Sequence, residues 1–305
     1  MDESQGSDRK LPVSSPFVVE PSSCHTHSVI LLHGLGSNGE KFGKELLETG
    51  VSSNGKKLTE VLSGARFIFP TSKRRRSSAF HRARLTQWFN VASLEDPSHR
   101  SHTQVQGLEE SSREILDLID QESGKVPRKN IILGGLSQGC AMALICLLAM
   151  DFSVGGFIGM SGWLPYRNEI EELAKADDED ESEDDPFSSD DDNPFATSGD
   201  SECEAQDPVA KVRTFVRDLL SLGDLRTLSS EESAISTPIF LGHGDADEKI
   251  NPSLGEDASQ ILSSVGFQVD WRRYAGQGHW YKIPDEIDDI VEFIQTKAMW
   301  KMGAA

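Results

Sequence analysis

A chain of 305 residues with 50 Asp and Glu against 30 Lys and Arg carries a formal charge of −20, a balance that repels polyanions and argues against a nucleic-acid partner. Seventeen of the acids, with Lys175 as the one lysine, fall within residues 169–204, so the rest of the chain is close to neutral. No apolar run is long enough to span a bilayer, since the best, Ile131 to Met150, is broken by GGLSQG, and the first residues lack the basic and apolar regions of a secretory signal.

In chain order, residues 1–27 read as a flexible segment in which Cys24, His25 and His27 are a chance grouping. Ser28 to Leu32, SVILL, is a buried strand, followed by the glycine-rich HGLGSNG, His33 to Gly39. Arg66 to Phe69 is a second strand. The run Ser72 to Gln87, SKRRRSSAFHRARLTQ, is a solvated basic loop, and its KRRR, Lys73 to Arg76, suits phosphate headgroups, an anionic membrane surface, an import receptor or the chain's own acidic stretch. Leu108 to Glu122 places Leu108, Ile115, Leu118 and Ile119 on one helical stripe. Asn130 to Leu133 is a β-branched strand, Ala141 to Met150 an apolar helix, and Gly156 to Met160 another strand.

From about Tyr166 to Ser236 the pattern changes. DDEDESEDDPFSSDDDNPF buries too little apolar surface to offset the entropy of ordering it, so residues 166–236 read as an insert with a disordered acidic stretch, 169–204, and one helix within Asp207 to Leu222. A basic partner suits that stretch, and Ser182, Ser188 and Ser189 each have an acid three residues on. Pro238 to Leu241 and Val269 to Tyr274 are strands, and a terminal helix starts at Asp285, with Ile287, Ile290, Val291 and Ile294 on one stripe. Strands apolar on both faces, alternating with helices, predict an α/β fold: a mostly parallel, doubly wound sheet with helices on both faces, its core about 28–165 and 237–302. Cys24, Cys140, Cys146 and Cys203 have no paired spacing, which points to a reducing, cytoplasmic compartment, with the nucleus as a second location.

Between the Asn130 strand and the Ala141 helix lies G-x-S-x-G, Gly135 to Gly139. A serine on so sharp a turn is lifted clear of the sheet edge, and the helix beyond aims free N–H groups at it. Ser137 is therefore the candidate nucleophile. It needs a base, and the base needs an acid to fix its tautomer. Two histidines follow it: His243, which precedes every nearby acid, and His279, on a late loop after the Val269 strand. His279 is the better base. Asp245 and Asp247 both compete for the acid. For the oxyanion, the backbone N–H groups of Gln138 and of Leu35, held between Gly34 and Gly36, are the predicted donors. His33 and His243 read as bracing residues. A metal site built from His33, His243, Asp245 and Asp247 leaves Ser137 without a role, so no metal or other cofactor is expected. Trp88 and Trp163 are candidates for a substrate groove, although buried aromatics are core first. A catalytically idle scaffold that recruits a basic partner through its acidic stretch is the rival reading, and it has no use for three catalytic residue types in order.

HGLGSNG, TQWFN (Thr86 to Asn90), GLSQG, SGWLP (Ser161 to Pro165), GHGDAD (Gly242 to Asp247) and the late Gly278 and His279 together resemble the acyl-protein thioesterases of the phospholipase/carboxylesterase group of α/β-hydrolases. The motifs keep the family's order from about Val29 to the last helix. The resemblance implies a cytosolic serine hydrolase of the α/β-hydrolase fold, without a cap domain, cleaving thioester or carboxylic ester bonds of acylated proteins or small acyl esters. It also implies Ser137 as nucleophile, His279 as base, Leu35 and Gln138 as oxyanion donors, and Asp247 over Asp245 as the acid. The sequence departs from the family where Cys140 replaces a glycine, where Asn90 follows Trp88 and Phe89 in place of an aspartate, in the long segment after SGWLP, and in the basic character of Ser72 to Gln87.

Overall fold

Strands apolar on both faces have to be covered on both. In the computed structural model, which describes residues 15–175, 207–223, 233–298 and 300, the described strands are β1 (Phe17–Val19), β2 (His27–Leu32), β3 (Ala65–Phe69), β4 (Arg74–Arg76), β5 (Arg84–Thr86), β6 (Ile131–Leu136), β7 (Gly156–Met160), β8 (Ile239–Gly244) and β9 (Val269–Tyr274). Seven of them form one sheet in the order β1-β3-β2-β6-β7-β8-β9, parallel throughout except for β1, which runs antiparallel to β3. Alternate residues of one strand enter opposite layers: Ile30 and Leu32 join one apolar cluster, Val29 and Leu31 the other.

The helices supply those layers. They are α1 (Gly39–Thr49), α2 (Leu58–Val61), α3 (Val105–Ser123), α4 (Gln138–Ala149), α5 (Arg167–Lys175), α6 (Pro208–Leu219), α7 (Pro252–Ser264) and α8 (Asp285–Thr296). Phe42 and Leu46 of α1, Leu58 of α2 and Ile287 and Ile290 of α8 pack on one face. Leu108 and Ile115 of α3, Cys140 to Ala149 of α4, and Leu254 and Leu262 of α7 pack on the other. Every residue of α4 is buried, as the apolar run that follows Gln138 requires. The chain leaves β2 for β3 on one side and then crosses to β6 on the other, so the loops after β2 and β6 part at the switch point of the sheet, where open α/β folds bind ligands.

The predicted strands are all present, and two run three residues past their predicted ends. β6 continues to Leu136 and β8 to Gly244, through glycines that usually weaken a strand but here admit a close neighbour. A Cβ on Gly134 would lie 2.0 Å from the Ile158 carbonyl oxygen. Four helices lay outside the sequence reading, α1, α2, α5 and α7, and α5 overturns the expected disorder over residues 169–175, where Ile170 is buried against the core. α1 is started by Asn38, whose side chain accepts from the Lys41 N–H at 2.8 Å.

The segment before His27, expected to be flexible, supplies β1 as an edge strand, with Phe17 packed 6.1 Å from Phe69. The basic run is a hairpin rather than a solvated loop. Lys73 pairs with Glu114 at 2.7 Å and Arg75 with Glu110 at 2.9 Å on α3, while Arg74, Arg76, Arg82 and Arg84 stay exposed. The expected insert contributes two packed helices: Ile170 of α5 and Val212 and Val216 of α6 are buried against the α4 side of the core, as is Leu220 just beyond. Arg217 donates to the Ala149 carbonyl at the end of α4, 2.8 Å away. Residues 176–206, which hold most of the acidic stretch, Ser182, Ser188, Ser189 and Cys203, lie outside the described residues.

Candidate active site

β6 ends against Ser137, whose backbone takes φ 57° and ψ −122° before α4 begins at Gln138. That conformation is costly for a residue with a side chain and is held by packing on both sides. A Cβ at Gly135 would lie 2.7 Å, and one at Gly139 2.1 Å, from the Leu32 carbonyl oxygen, so only glycine lets β2, β6 and α4 meet here. The Ser137 N–H is anchored to the Met160 carbonyl at 2.8 Å.

Ser137 Oγ lies 3.0 Å from His279 Nε2, and His279 Nδ1 lies 2.7 Å from Asp247 Oδ2. Beside a carboxylate Nδ1 carries the proton, so Nε2 presents its lone pair to the Ser137 hydroxyl. The Asp247 side chain is fully buried, whereas the His279 ring keeps 13% of its surface, enough to meet a substrate. Asp247 Oδ1 accepts the backbone N–H groups of Lys249 (2.8 Å) and Ile250 (3.0 Å). Burial works to raise the Asp247 carboxyl, but hydrogen bonds from His243, His279 and the Ile250 amide outweigh it and hold the group far below the ordinary carboxylate range. Asp245 takes no part in this chain. Its Oδ1 accepts from the Gly276 N–H at 2.6 Å and so fastens the loop that carries His279.

The loop after β2 lies against the serine: a Cβ on Gly34 would be 3.9 Å from Ser137 Oγ. Leu35 sits between Gly34 and Gly36. The Gly36 N–H bonds Thr86 O at 2.8 Å, and the Thr86 hydroxyl bonds Ser37 O. Gln138 N–H belongs to the first turn of α4, where amides have no intrahelical acceptor. His33 is entirely buried and braces this loop. Its Nε2 accepts from the Ser72 N–H at 3.1 Å, its Nδ1 faces Gly34 O at 2.7 Å, and burial pushes the imidazole down to about 4. The four-residue metal grouping weighed from sequence is thus not assembled, because His33 and Asp245 are each engaged with backbone elsewhere.

Trp88 and Trp163, the candidate groove residues, are 1% and 2% exposed and lie beneath the surface. Trp88 Nε1 donates to His33 O at 2.8 Å, and Phe89 meets Trp163 edge-on at 6.2 Å, which makes both indoles supports of the site's loops. Two contacts escaped the sequence reading. The Gln138 side chain clamps the TQWFN segment, its Oε1 accepting from the Trp88 N–H (3.0 Å) and its Nε2 donating to Phe89 O (2.8 Å). His243 Nε2 lies 3.1 Å from Asp247 Oδ2, a contact foreshadowed only by the four-residue spacing in HGDAD. Cys140 is buried under the elbow, where desolvation pushes its thiol up to about 12 and keeps it neutral.

A parallel sheet that presents serine, aspartate and histidine from the loops after β6, β8 and β9 is the architecture of the α/β-hydrolases. The chain matches the family model described as Phospholipase/Carboxylesterase over residues 13–179 and 222–298, and it belongs to that family of serine ester and thioester hydrolases. Acyl-protein thioesterase 1 of Gibberella zeae is 25% identical over 287 residues, 93% of this chain and 95% of its own length. Its Candida albicans counterpart is 26% identical over 289 residues, 94% and 98% of the two chains. Among solved structures, Zea mays acyl-protein thioesterase 2 superposes with a TM-score of 0.61 at 21% identity, covering 93% of this chain and 98% of that one. Arabidopsis thaliana SOBER1 gives 0.61 at 20% identity, covering 89% and 99%. α6 falls within residues 180–221, which the family model leaves unmatched.

Proposed function

We propose that this chain removes acyl groups from proteins, cleaving thioester and carboxylic ester bonds through a covalent acyl-enzyme. His279 Nε2 takes the Ser137 proton as Oγ attacks the acyl carbonyl. The Leu35 and Gln138 amides hold the oxyanion, and Asp247 keeps Nδ1 protonated and stabilises the imidazolium. His279 then gives the proton to the leaving thiolate or alkoxide. A water activated by the same nitrogen releases the acid and frees Ser137. The observation that carries this reading is the unbroken path Ser137 Oγ to His279 Nε2 at 3.0 Å and His279 Nδ1 to Asp247 Oδ2 at 2.7 Å.

Protein-bound acyl chains are the substrate class favoured by the two relatives named acyl-protein thioesterase 1, which this chain matches along nearly its whole length. The exposed Arg74, Arg76, Arg82 and Arg84 around Phe80, which is 42% exposed, support transient contact with an anionic membrane surface where such substrates reside. Among the described residues Cys24, Cys140 and Cys146 are unpaired, which supports work in the reducing cytoplasm. A palmitoylated peptide, lysophosphatidylcholine and a short aryl ester, competed at equal concentration, test the assignment. The peptide thioester is expected to be consumed fastest, and preference for either small ester would make the chain a small-molecule carboxylesterase or lysophospholipase instead. All three activities should vanish in Ser137→Ala.

A further inference from the structure

Asp247 Oδ2 has two imidazole neighbours. His279 Nδ1 approaches it at 2.7 Å and His243 Nε2 at 3.1 Å, while Oδ1 is taken up by two backbone amides. His243 Nε2 also lies 3.1 Å from the Ile250 carbonyl oxygen, so both groups facing it are acceptors, and this nitrogen carries the ring proton. Nδ1 is then a bare lone pair, and it is buried without a hydrogen-bond partner among the described residues. The ring is 1% exposed and cannot touch a substrate. It is nevertheless closely seated: it packs 6.2 Å from the Trp271 ring of β9, and a Cβ on Gly255 of α7 would come within 2.5 Å of Nδ1.

We propose that His243 is a positioning residue for the triad acid. This inference rests on the hydrolase reading above and assigns a role within it. Free to turn about its last torsion, a carboxylate with a single donor on Oδ2 would trade that oxygen between orientations. Two donors on Oδ2 and two on Oδ1 fix its plane, and the plane fixes the direction in which His279 Nδ1–H points. His243 also draws charge from the oxygen that faces His279. The titratable groups facing His243 are Asp247 on one edge and, across the small cavity lined by Gly162, Trp163, Gly255 and Trp271, the neutral thiol of Cys140.

The full chain with His243→Phe keeps the ring and loses the donor. Its kcat for an aryl ester is expected to fall about 10- to 100-fold, the range for loss of a group that orients a catalytic side chain. KM should stay as in wild type. His243→Gln, whose amide Nε2 reaches the same position, should recover most of kcat, whereas the shorter His243→Asn should not. If Phe fails to fold, the Gln and Asn variants, normalised to folded protein by circular dichroism, decide the matter alone. Equal kcat in folded Phe, or in folded Asn beside Gln, would overturn the role. Loss of thermal stability with unchanged kcat per folded molecule would overturn it too. Wild type and Ser137→Ala run alongside separate the two levels: if wild type shows no Ser137-dependent hydrolysis, the hydrolase reading itself has failed.

Discussion

Asp245 and Asp247 stand two residues apart on one loop and do different work. Asp247 reaches His279, while Asp245 ties down Gly276. Asp247→Asn leaves the shape intact but offers His279 an amide, which accepts the wrong tautomer or none. The loss in kcat is expected to be about 10⁴-fold, as for other triads treated this way. Asp245→Asn keeps an oxygen for the Gly276 N–H and should cost less than about tenfold, within the reach of a small loop shift. Aryl-ester kinetics on both variants check this, and a reversed order would move the acid to Asp245. Ser137 and His279 were legible in the sequence because a strand–turn–helix context and chain order single them out. The choice between Asp245 and Asp247 was not, since either spacing reaches an imidazole, and only the family resemblance separated them. The His243 contact was hidden for a different reason: whether a histidine four residues before an acid bonds it depends on how the loop curls after β8.

At the level of elements, the buried carboxyl at the start of α8 makes a measurable claim. Glu286 is 1% exposed and sits where a Cβ on Gly242 would come within 2.2 Å of its Oε1, directly behind the strand that leads to Asp247. Burial, reinforced by the charge of Asp289 and opposed by the Lys282 N–H, pushes it up to about 8 from an ordinary 4.5. The folded state therefore holds a proton that the unfolded chain releases between those values. Stability from this group is complete below about pH 4.5 and is lost as pH rises through about 8. Glu286→Gln keeps the acceptor for Lys282 N–H and removes the titration, so its Tm advantage over wild type should widen from pH 5 to pH 8. A constant gap would mean that Glu286 is ionised throughout. The elements read best from sequence were those buried on two faces, such as β2, β6 and α4. α1 and α7 were obscured by glycines and serines, Gly39 and Gly43 in one and Gly255 in the other, which are there because neighbours approach too closely for a side chain.

For the molecule as a whole, charge and catalysis occupy different parts of the chain. The acidic residues from Asp177 to Asp192 fall mostly outside the region matched by the family model, and the contacts that join Ser137, His279 and Asp247 are made among the described residues elsewhere in the chain. Deleting them is expected to leave aryl-ester turnover within about twofold of wild type, since the catalytic contacts are made by residues elsewhere in the chain. Turnover abolished by the deletion would place function in the acidic stretch and favour a recruiting role for it. α6 is a separate case: it too lies in the unmatched region, yet Val212 and Val216 are buried and Arg217 holds the end of α4. Topology was readable because alternating strands and helices admit few right-handed arrangements. The packing of α5 and α6 was not, because their apolar stripes are short and flank a stretch whose composition dominates any reading of that region.

In the proposed reaction Ser137, activated by His279 and Asp247, is the group that becomes acylated. Treating the full chain with a fluorophosphonate at neutral pH and locating the adduct by peptide mass spectrometry tests it most directly. A single adduct on Ser137 is expected, abolished in His279→Ala. An adduct on another serine, or labelling that persists undiminished without His279, would contradict it.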